Sequence, residues 1–286
     1  MSSSAPPSNS PAIVLSFAAS DPTGGAGIQA DLLTLSSMGC YALSVITAIT
    51  IQDTAGVEDV LAIDSDWVAD QARALLEDMP VAAFKIGMMG SVENIVAIAE
   101  IVSDYPDVPL ILDPVLASGR GDELASEDMI AAMTELLLPQ TTIITPNSHE
   151  ARRLARAQSV DDDETEEEDP DLAECANRLL RLGCEYVLIT GTHENTTKVI
   201  NTLYGDNGVI RADEWERLPG SYHGSGCTLA SAIAATLANG LDIPDAVREA
   251  QEYTWQTLAA GFRPGMGQSI PDRFFWAREL DEGHKG

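Results

Sequence analysis

Residues 221–240, SYHGSGCTLASAIAATLANG, place the thiol of Cys227 between a histidine-containing glycine turn and a long run of small and apolar residues. A thiol does covalent chemistry when a base activates it, but nothing in the spacing fixes His223 or His149 as that partner, so a cysteine hydrolase fits poorly. His223 is expected to pack the loop, and the plainest role open to Cys227 is that of a small core residue on a helix. The other polar and glycine-rich segments are SDPTGGAGIQAD (20–31), IQDT (51–54), KIGMMG (85–90), DPVLASGRGD (113–122), TPNSHE (145–150) and TGTH (190–193). Taken singly, each has a structural reading beside a chemical one. The turn at 20–27 can touch a ligand or simply reverse the chain. Asp113 can bind, or cap the turn that follows it. Asn147 and Glu150, three apart after Pro146, can be functional or can form the capped first turn of a helix, with the Glu150 carboxylate facing the helix dipole. GGAG does not match GxGxxG, and no acidic residue ends a second strand near the required offset, which argues against a Rossmann dehydrogenase.

These segments share a position in the chain. AIVLSFA (12–18), ALSVITAIT (42–50), PLILD (109–113), TTIIT (141–145) and EYVLIT (185–190) are strand-like and continuously apolar, as suits strands covered on both faces. Between them SVENIVAIAEIVSD (91–104), SEDMIAAMTELLL (126–138) and DLAECANRLLRLG (171–183) carry apolar residues at helical spacing and begin on Ser or Asp, as capped helices do. Alternation of strand and helix predicts an α/β fold with a mainly parallel sheet and helices on both faces. The segments 198–205 and 208–218 predict a hairpin across YGDNG, hence an antiparallel edge late in the sheet. In open sheets of this kind ligands sit beyond the carboxyl ends of the strands, where the polar and glycine residues of this chain cluster.

Composition sets further bounds. At 286 residues and 45% hydrophobic content the chain can bury a full core, and it is read as a short tail (1–11), one domain (12–272) and a C-terminal tail (273–286). The net charge of −29 is opposite to that of a nucleic-acid-binding surface and suggests a hydrated surface suited to high ionic strength. The densest acidic block, DDDETEEEDP (161–170), is expected to be a solvated loop. No apolar run is long enough to cross a bilayer and the start lacks a signal-peptide pattern, so a cytoplasmic protein without a membrane partner is expected. The four cysteines are far apart, with no CxxC pair, and are expected to be reduced and mostly buried.

The segments ASDPTGGAGIQADL, SVITAITIQDT, KIGM, LDPV, TPNSHE and HGSGCTLASA, in this order, resemble the hydroxymethylpyrimidine/phosphomethylpyrimidine kinases of thiamine biosynthesis, a branch of the ribokinase-like superfamily. The resemblance runs from Ala12 to Ile270, leaving the acidic stretch 158–170 unmatched. It implies a three-layer α/β sandwich and transfer of the γ-phosphoryl of ATP, with Mg²⁺, to a hydroxymethyl aminopyrimidine and then to its monophosphate. It further implies that Gly224, Ser225 and Gly226 form an anion hole at a helix N-terminus, and that Cys227 accepts the substrate hydroxyl proton, its pKa drawn from about 8.5 towards neutrality. Asp31 and Gln52 would contact the polar edge of the pyrimidine, with Met88, Val115 and Ala19 around the ring. Asp113, Asn147 and Glu150 would hold Mg²⁺ and its waters against the ATP phosphates, Asp113 and Glu150 as the metal carboxylates. A homodimer is expected.

Two positions depart from that family's pattern. Thr190 stands where many members have a lysine, and Ala19 where glycine is common. A hydroxyl brings no charge to a phosphate site, and Arg120, in the glycine-flanked loop LASGRGD (116–122), is the substitute that the sequence offers. Thr190 with Gly191 also resembles the pyridoxal kinases of the same superfamily, so a pyridoxal/pyridoxine kinase is the alternative substrate assignment. A non-catalytic pyrimidine or nucleotide sensor is the alternative from another functional class.

Overall fold

The computed structural model describes residues 10–118, 121–157 and 170–282, so Arg120 and nearly all of the acidic block lie outside the described residues. One sheet is built from β1 (Ile13–Ser20), β2 (Tyr41–Gln52), β3 (Val57–Ala62), β4 (Ala83–Ile86), β5 (Leu110–Leu112), β6 (Ile143–Ile144), β7 (Tyr186–Thr190), β8 (Lys198–Gly205) and β9 (Gly208–Glu216). Their spatial order is β3-β2-β1-β4-β5-β6-β7-β8-β9. From β2 through β7 the pairings are parallel, and the hairpin β8–β9 closes one edge antiparallel, as the YGDNG turn predicts. The opposite edge is antiparallel as well, because β3 folds back on β2. Neither β3 nor β4 was expected as a strand: VEDVLA is exposed on an edge and AFKI is interrupted by a lysine.

Helices cover both faces. Leu15 and Phe17 of β1, Leu110 and Leu112 of β5 and Val187 of β7 point to a core shared with α2 (Ser65–Asp78), α3 (Val92–Ser103), α4 (Glu127–Ala132), α5 (Ser148–Arg156) and α6 (Leu172–Arg181). The intervening residues, Val14, Ile111 and Leu188, face a second core with α1 (Gly27–Ser37), α7 (Ser225–Ala238) and α8 (Ile243–Ala259). Period-two alternation with both sets apolar is why these strands are continuous hydrophobic runs in the sequence. The three predicted caps are formed: Ser91 accepts from Asn94 N at 3.2 Å, Ser126 from Met129 N at 3.3 Å and Asp171 from Glu174 N at 2.8 Å.

The segment after 272 is not a tail over its described part. FFW in this stretch carries apolar surface to bury, and α9 (Phe275–Glu282) sets the Phe275 ring 6.0 Å from that of Tyr253, while Trp276 Nε1 donates to Ser37 Oγ at 3.0 Å. Arg273, just before α9, is 3% exposed.

Candidate active site

Chain order along the sheet reverses between β1 and β4, and the crevice beyond their carboxyl ends gathers most of the expected residues. The turn after β1 is organised by Asp21. Its carboxylate accepts from Thr23 N (2.8 Å), Ala26 N (2.8 Å) and Thr23 Oγ1 (2.9 Å), and lies 2.8 Å from His223 Nε2. Burial opposes the charge on Asp21, but the bonds from His223, Thr23 and Ala26 outweigh it and hold the carboxyl below its usual range. His223 Nε2 also lies 2.9 Å from Gln52 Nε2, at the end of β2. His223 thus packs the loop, as expected, and also links the glycine turn to the strand end read as an acceptor contact.

The second glycine turn sits directly on the first. Gly224 precedes α7 with φ +82°, and a Cβ there would collide with the carbonyl oxygen of Gly25. Gly226 is exposed, and a Cβ on it would meet only Asp113 Oδ1, at 3.6 Å. The open N-terminus of α7 therefore faces the carboxylate after β5.

Beneath it lies a buried ion cluster. Lys85 Nζ is 3.0 Å from Asp31 Oδ2 and 3.8 Å from Asp113 Oδ2, and both Lys85 and Asp31 are 0% exposed. Asp31 also accepts from Ser16 Oγ at 2.7 Å and Ser231 Oγ at 2.8 Å. The expectation that Asp31 reads the pyrimidine ring is corrected here: its carboxylate is committed to Lys85 and two hydroxyls and presents no surface to a ligand. Burial acts to discharge Lys85, but Asp31, Cys227 and Asp113 outweigh it and hold the ammonium above its usual range. Asp113 is pushed up, by burial first, with Lys85 opposing and Asp31 adding to the rise.

Cys227 differs from expectation in its proton affinity. Burial, with Asp113 next, pushes its thiol up to about 12, against the pull of Lys85. The position beside a helix N-terminus favours the thiolate, but two carboxylates and lost solvent outweigh that dipole.

The structural reading of Asn147 holds. Its Oδ1 accepts from His149 N (2.9 Å) and Glu150 N (3.0 Å), and Glu150 Oε2 accepts from Asn147 N (2.9 Å), a complete capping box opening α5. Glu150 Oε1 is 3.5 Å from Leu116 N, and burial pushes this carboxyl up to about 8, with Asp113 adding to the rise against the bond from Asn147. Asp113 Oδ2 is buried without a hydrogen-bond partner among the described residues. A buried carboxylate oxygen served only by an ammonium 3.8 Å away, beside a second carboxyl whose charged form burial disfavours, is a donor set that a divalent cation would suit, its charge replacing the proton on Glu150. Among the described residues no three metal-ligating side chains converge, so phosphate oxygens and water would have to complete any shell.

Thr190 ends β7 beside Asn147, its N donating to Pro146 O at 3.0 Å. Met88 and Val115 each keep part of their surface open, whereas Ala19 is buried and offers little surface to a ligand. Sequence reasoning missed Lys85, Asp21 and Arg273. A lone lysine inside an otherwise apolar strand, in a chain with 45 acidic residues, was the available signal for Lys85; the other two carried none.

A sequence model described as phosphomethylpyrimidine kinase matches residues 21–272. The chain belongs to that family. The hydroxymethylpyrimidine/phosphomethylpyrimidine kinase of Rhizobium meliloti (strain 1021) is 38% identical over 257 residues, covering 90% of this chain and 94% of the relative, and that of Escherichia coli (strain K12) is 36% identical over 256 residues, covering 90% and 94%. Among solved structures, the phosphomethylpyrimidine kinase of Clostridium difficile 630 aligns with a TM-score of 0.72 at 34% identity, over 86% of this chain and 99% of that one. A Bacillus subtilis pyridoxal kinase in complex with ADP aligns with a TM-score of 0.82 at 28% identity, over 94% and 100%. This phosphomethylpyrimidine kinase family member is thus a phosphotransferase of ribokinase-like fold that uses ATP, and the sensor reading is set aside.

Proposed function

We propose that the protein transfers the γ-phosphoryl group of ATP to 4-amino-5-hydroxymethyl-2-methylpyrimidine and then to the resulting monophosphate, giving the diphosphate used in thiamine biosynthesis. The observation that carries the reading is the unobstructed N-terminus of α7, at Ser225 and Gly226, facing the buried carboxylate of Asp113. Free backbone N–H groups stabilise charge on a phosphoryl group in flight, and phosphoryl transfer asks mainly for positioning and charge neutralisation. With its thiol protonated, Cys227 acts by holding the hydrogen of the acceptor hydroxyl on Sγ. As the hydroxyl oxygen bonds to phosphorus and the bond from phosphorus to the leaving ADP oxygen breaks, the hydroxyl proton passes late to an oxygen of the transferred phosphoryl group, since a thiol that already holds its proton orients the O–H and cannot take a second. Asp113 and Glu150 would hold Mg²⁺, which when bound neutralises phosphate charge.

Two substrates decide the reading. With ATP and Mg²⁺, purified protein should convert the hydroxymethylpyrimidine to mono- and diphosphate with a kcat/KM at least tenfold above that for pyridoxal; the reverse ratio would establish the alternative, which the fold likeness to pyridoxal kinases and the pair Thr190–Gly191 favour. Activity should vanish in EDTA and return with Mg²⁺. The homodimer is also a proposal: Ile49 and Leu61 are register partners on the β2–β3 edge, both exposed, as are Ile51 and Trp67. Leu61→Asp should yield a monomer by sedimentation where the parent is a dimer.

Gly226→Ala isolates the phosphate site. The position has no positive φ and room for a methyl, so melting should move little, or rise by up to about 0.5–1 kcal/mol from improved helix propensity. The methyl nevertheless stands in front of Asp113, and kcat/KM for ATP should fall at least tenfold. Unchanged kinetics would place the phosphates elsewhere.

A further inference from the structure

Arg273 stands out because it is a buried cation without an acid. It is 3% exposed, and its guanidinium donates to Gly25 O (2.7 Å), Thr228 Oγ1 (3.1 Å) and Gly24 O (3.4 Å), all uncharged acceptors. No carboxylate among the described residues pairs with it; the adjacent Asp272 pairs with Arg278 instead, at 2.6 Å. Burial lowers its proton affinity, the expected sign for a charge without compensation. Thr228 Oγ1, which takes one of its bonds, in turn donates to Gly224 O at 2.8 Å. One planar fork therefore holds the glycine turn after β1 directly and the turn before α7 through one hydroxyl. Besides the Cys227 thiol, the Tyr253 hydroxyl and His223, the ionisable groups around this end of α7 include Asp21, Asp31, Asp113 and Lys85, three carboxylates against one ammonium.

We infer that Arg273 is a positioning residue of the phosphate site, fixing the two glycine turns against each other and supplying a positive charge, in direct contact with no carboxylate among the described residues, that lets anions approach this acidic end of the sheet. The cation that Thr190 does not provide comes on this account from the C-terminal segment. The inference rests on the proposed phosphate site at Ser225–Gly226. It goes further in separating ligands by charge: ATP, ADP and the phosphorylated acceptor should feel Arg273, and the neutral hydroxymethyl acceptor should not.

The test compares Arg273→Gln with Arg273→Lys in the full chain, measuring ADP affinity by calorimetry and KM for the neutral acceptor and for its monophosphate. Arg273→Gln should weaken ADP about tenfold or more and raise KM for the monophosphate similarly, with KM for the neutral acceptor within about threefold of the parent. Arg273→Lys, which keeps the charge and loses the fork, should hold ADP within about threefold while kcat falls about tenfold. Equal losses for neutral and anionic ligands would reduce Arg273 to a structural bond, and unchanged ADP affinity in Arg273→Gln would overturn the inference. Should Arg273→Gln fail to fold, Arg273→Lys still decides: affinity kept with kcat lowered supports the inference, and affinity falling as far as kcat refutes it. If Gly226→Ala leaves the kinetics unchanged, the phosphate site itself is misplaced; ADP binding needs no acceptor, so the two failures can be told apart.

Discussion

Lys85→Met should destabilise the protein by about 3–5 kcal/mol, because it removes the cation that Asp31 and Asp113 share, in a buried site. Methionine fills much the same volume, so the loss is electrostatic rather than a cavity. Asp31 would keep its two hydroxyl donors, Ser16 and Ser231, but these are neutral and cannot offset a fully buried carboxylate. Pairing the change with Asp31→Leu should recover a large part of the stability, since a buried ion pair replaced whole by apolar groups is often neutral. Turnover should stay low in the double variant, because Asp113 then lies next to no cation among the described residues. Chemical denaturation of the two single variants and the double variant gives the coupling directly. Additive losses, with no recovery in the double variant, would show that the pair does not act as a unit. For Asp31 this replaces the sequence-level expectation of a ligand contact: Asp31→Ala should appear as lost stability rather than as weaker acceptor binding.

Cys227→Ala should lower kcat by about 10²-fold, the scale of loss when a group that orients a reacting hydroxyl is removed, with little change in ATP affinity. Cys227→Ser separates two ways of reaching that result. If the thiolate were the working base, serine, which ionises even less readily, would be as poor as alanine, and kcat in the parent would climb about tenfold per pH unit through the alkaline range. With the thiol pushed up to about 12 and working protonated, serine should stay within about tenfold of the parent, and kcat should be flat from pH 7 to 9. A steep alkaline rise that is lost in Cys227→Ala would restore the thiolate base. The same shift has a sign for stability. The folded thiol holds its proton above the ordinary value of 9.0, so between pH 9 and 12 the unfolded chain loses that proton first and stability falls as pH rises.

The sequence alone determined the parts governed by local rules. Apolar runs of strand length, helices capped by Ser91, Ser126 and Asp171, and the YGDNG hairpin each depend on residues within one turn or a few positions of one another, and all appear, although β5 and β6 are shorter than their apolar runs and the helix opened by Ser126 widens to π-helical turns after Ala132. So does the gathering of polar residues at strand ends, which follows from parallel topology. Only the tertiary structure decided what those strand-end residues do. Asp31 meets Lys85 across 54 positions and Ser231 across 200, and that meeting converts an apparent ligand contact into a buried pivot. Arg273 reaches Gly25 across 248 positions, tying an expected tail to the glycine turn after β1. For Cys227, the local helix dipole correctly gives one sign, but the proton affinity of a group is set by every charge within several ångströms and by the solvent it has lost. Those charges, on Asp113, Asp31 and Lys85, arrive from three other elements of the fold.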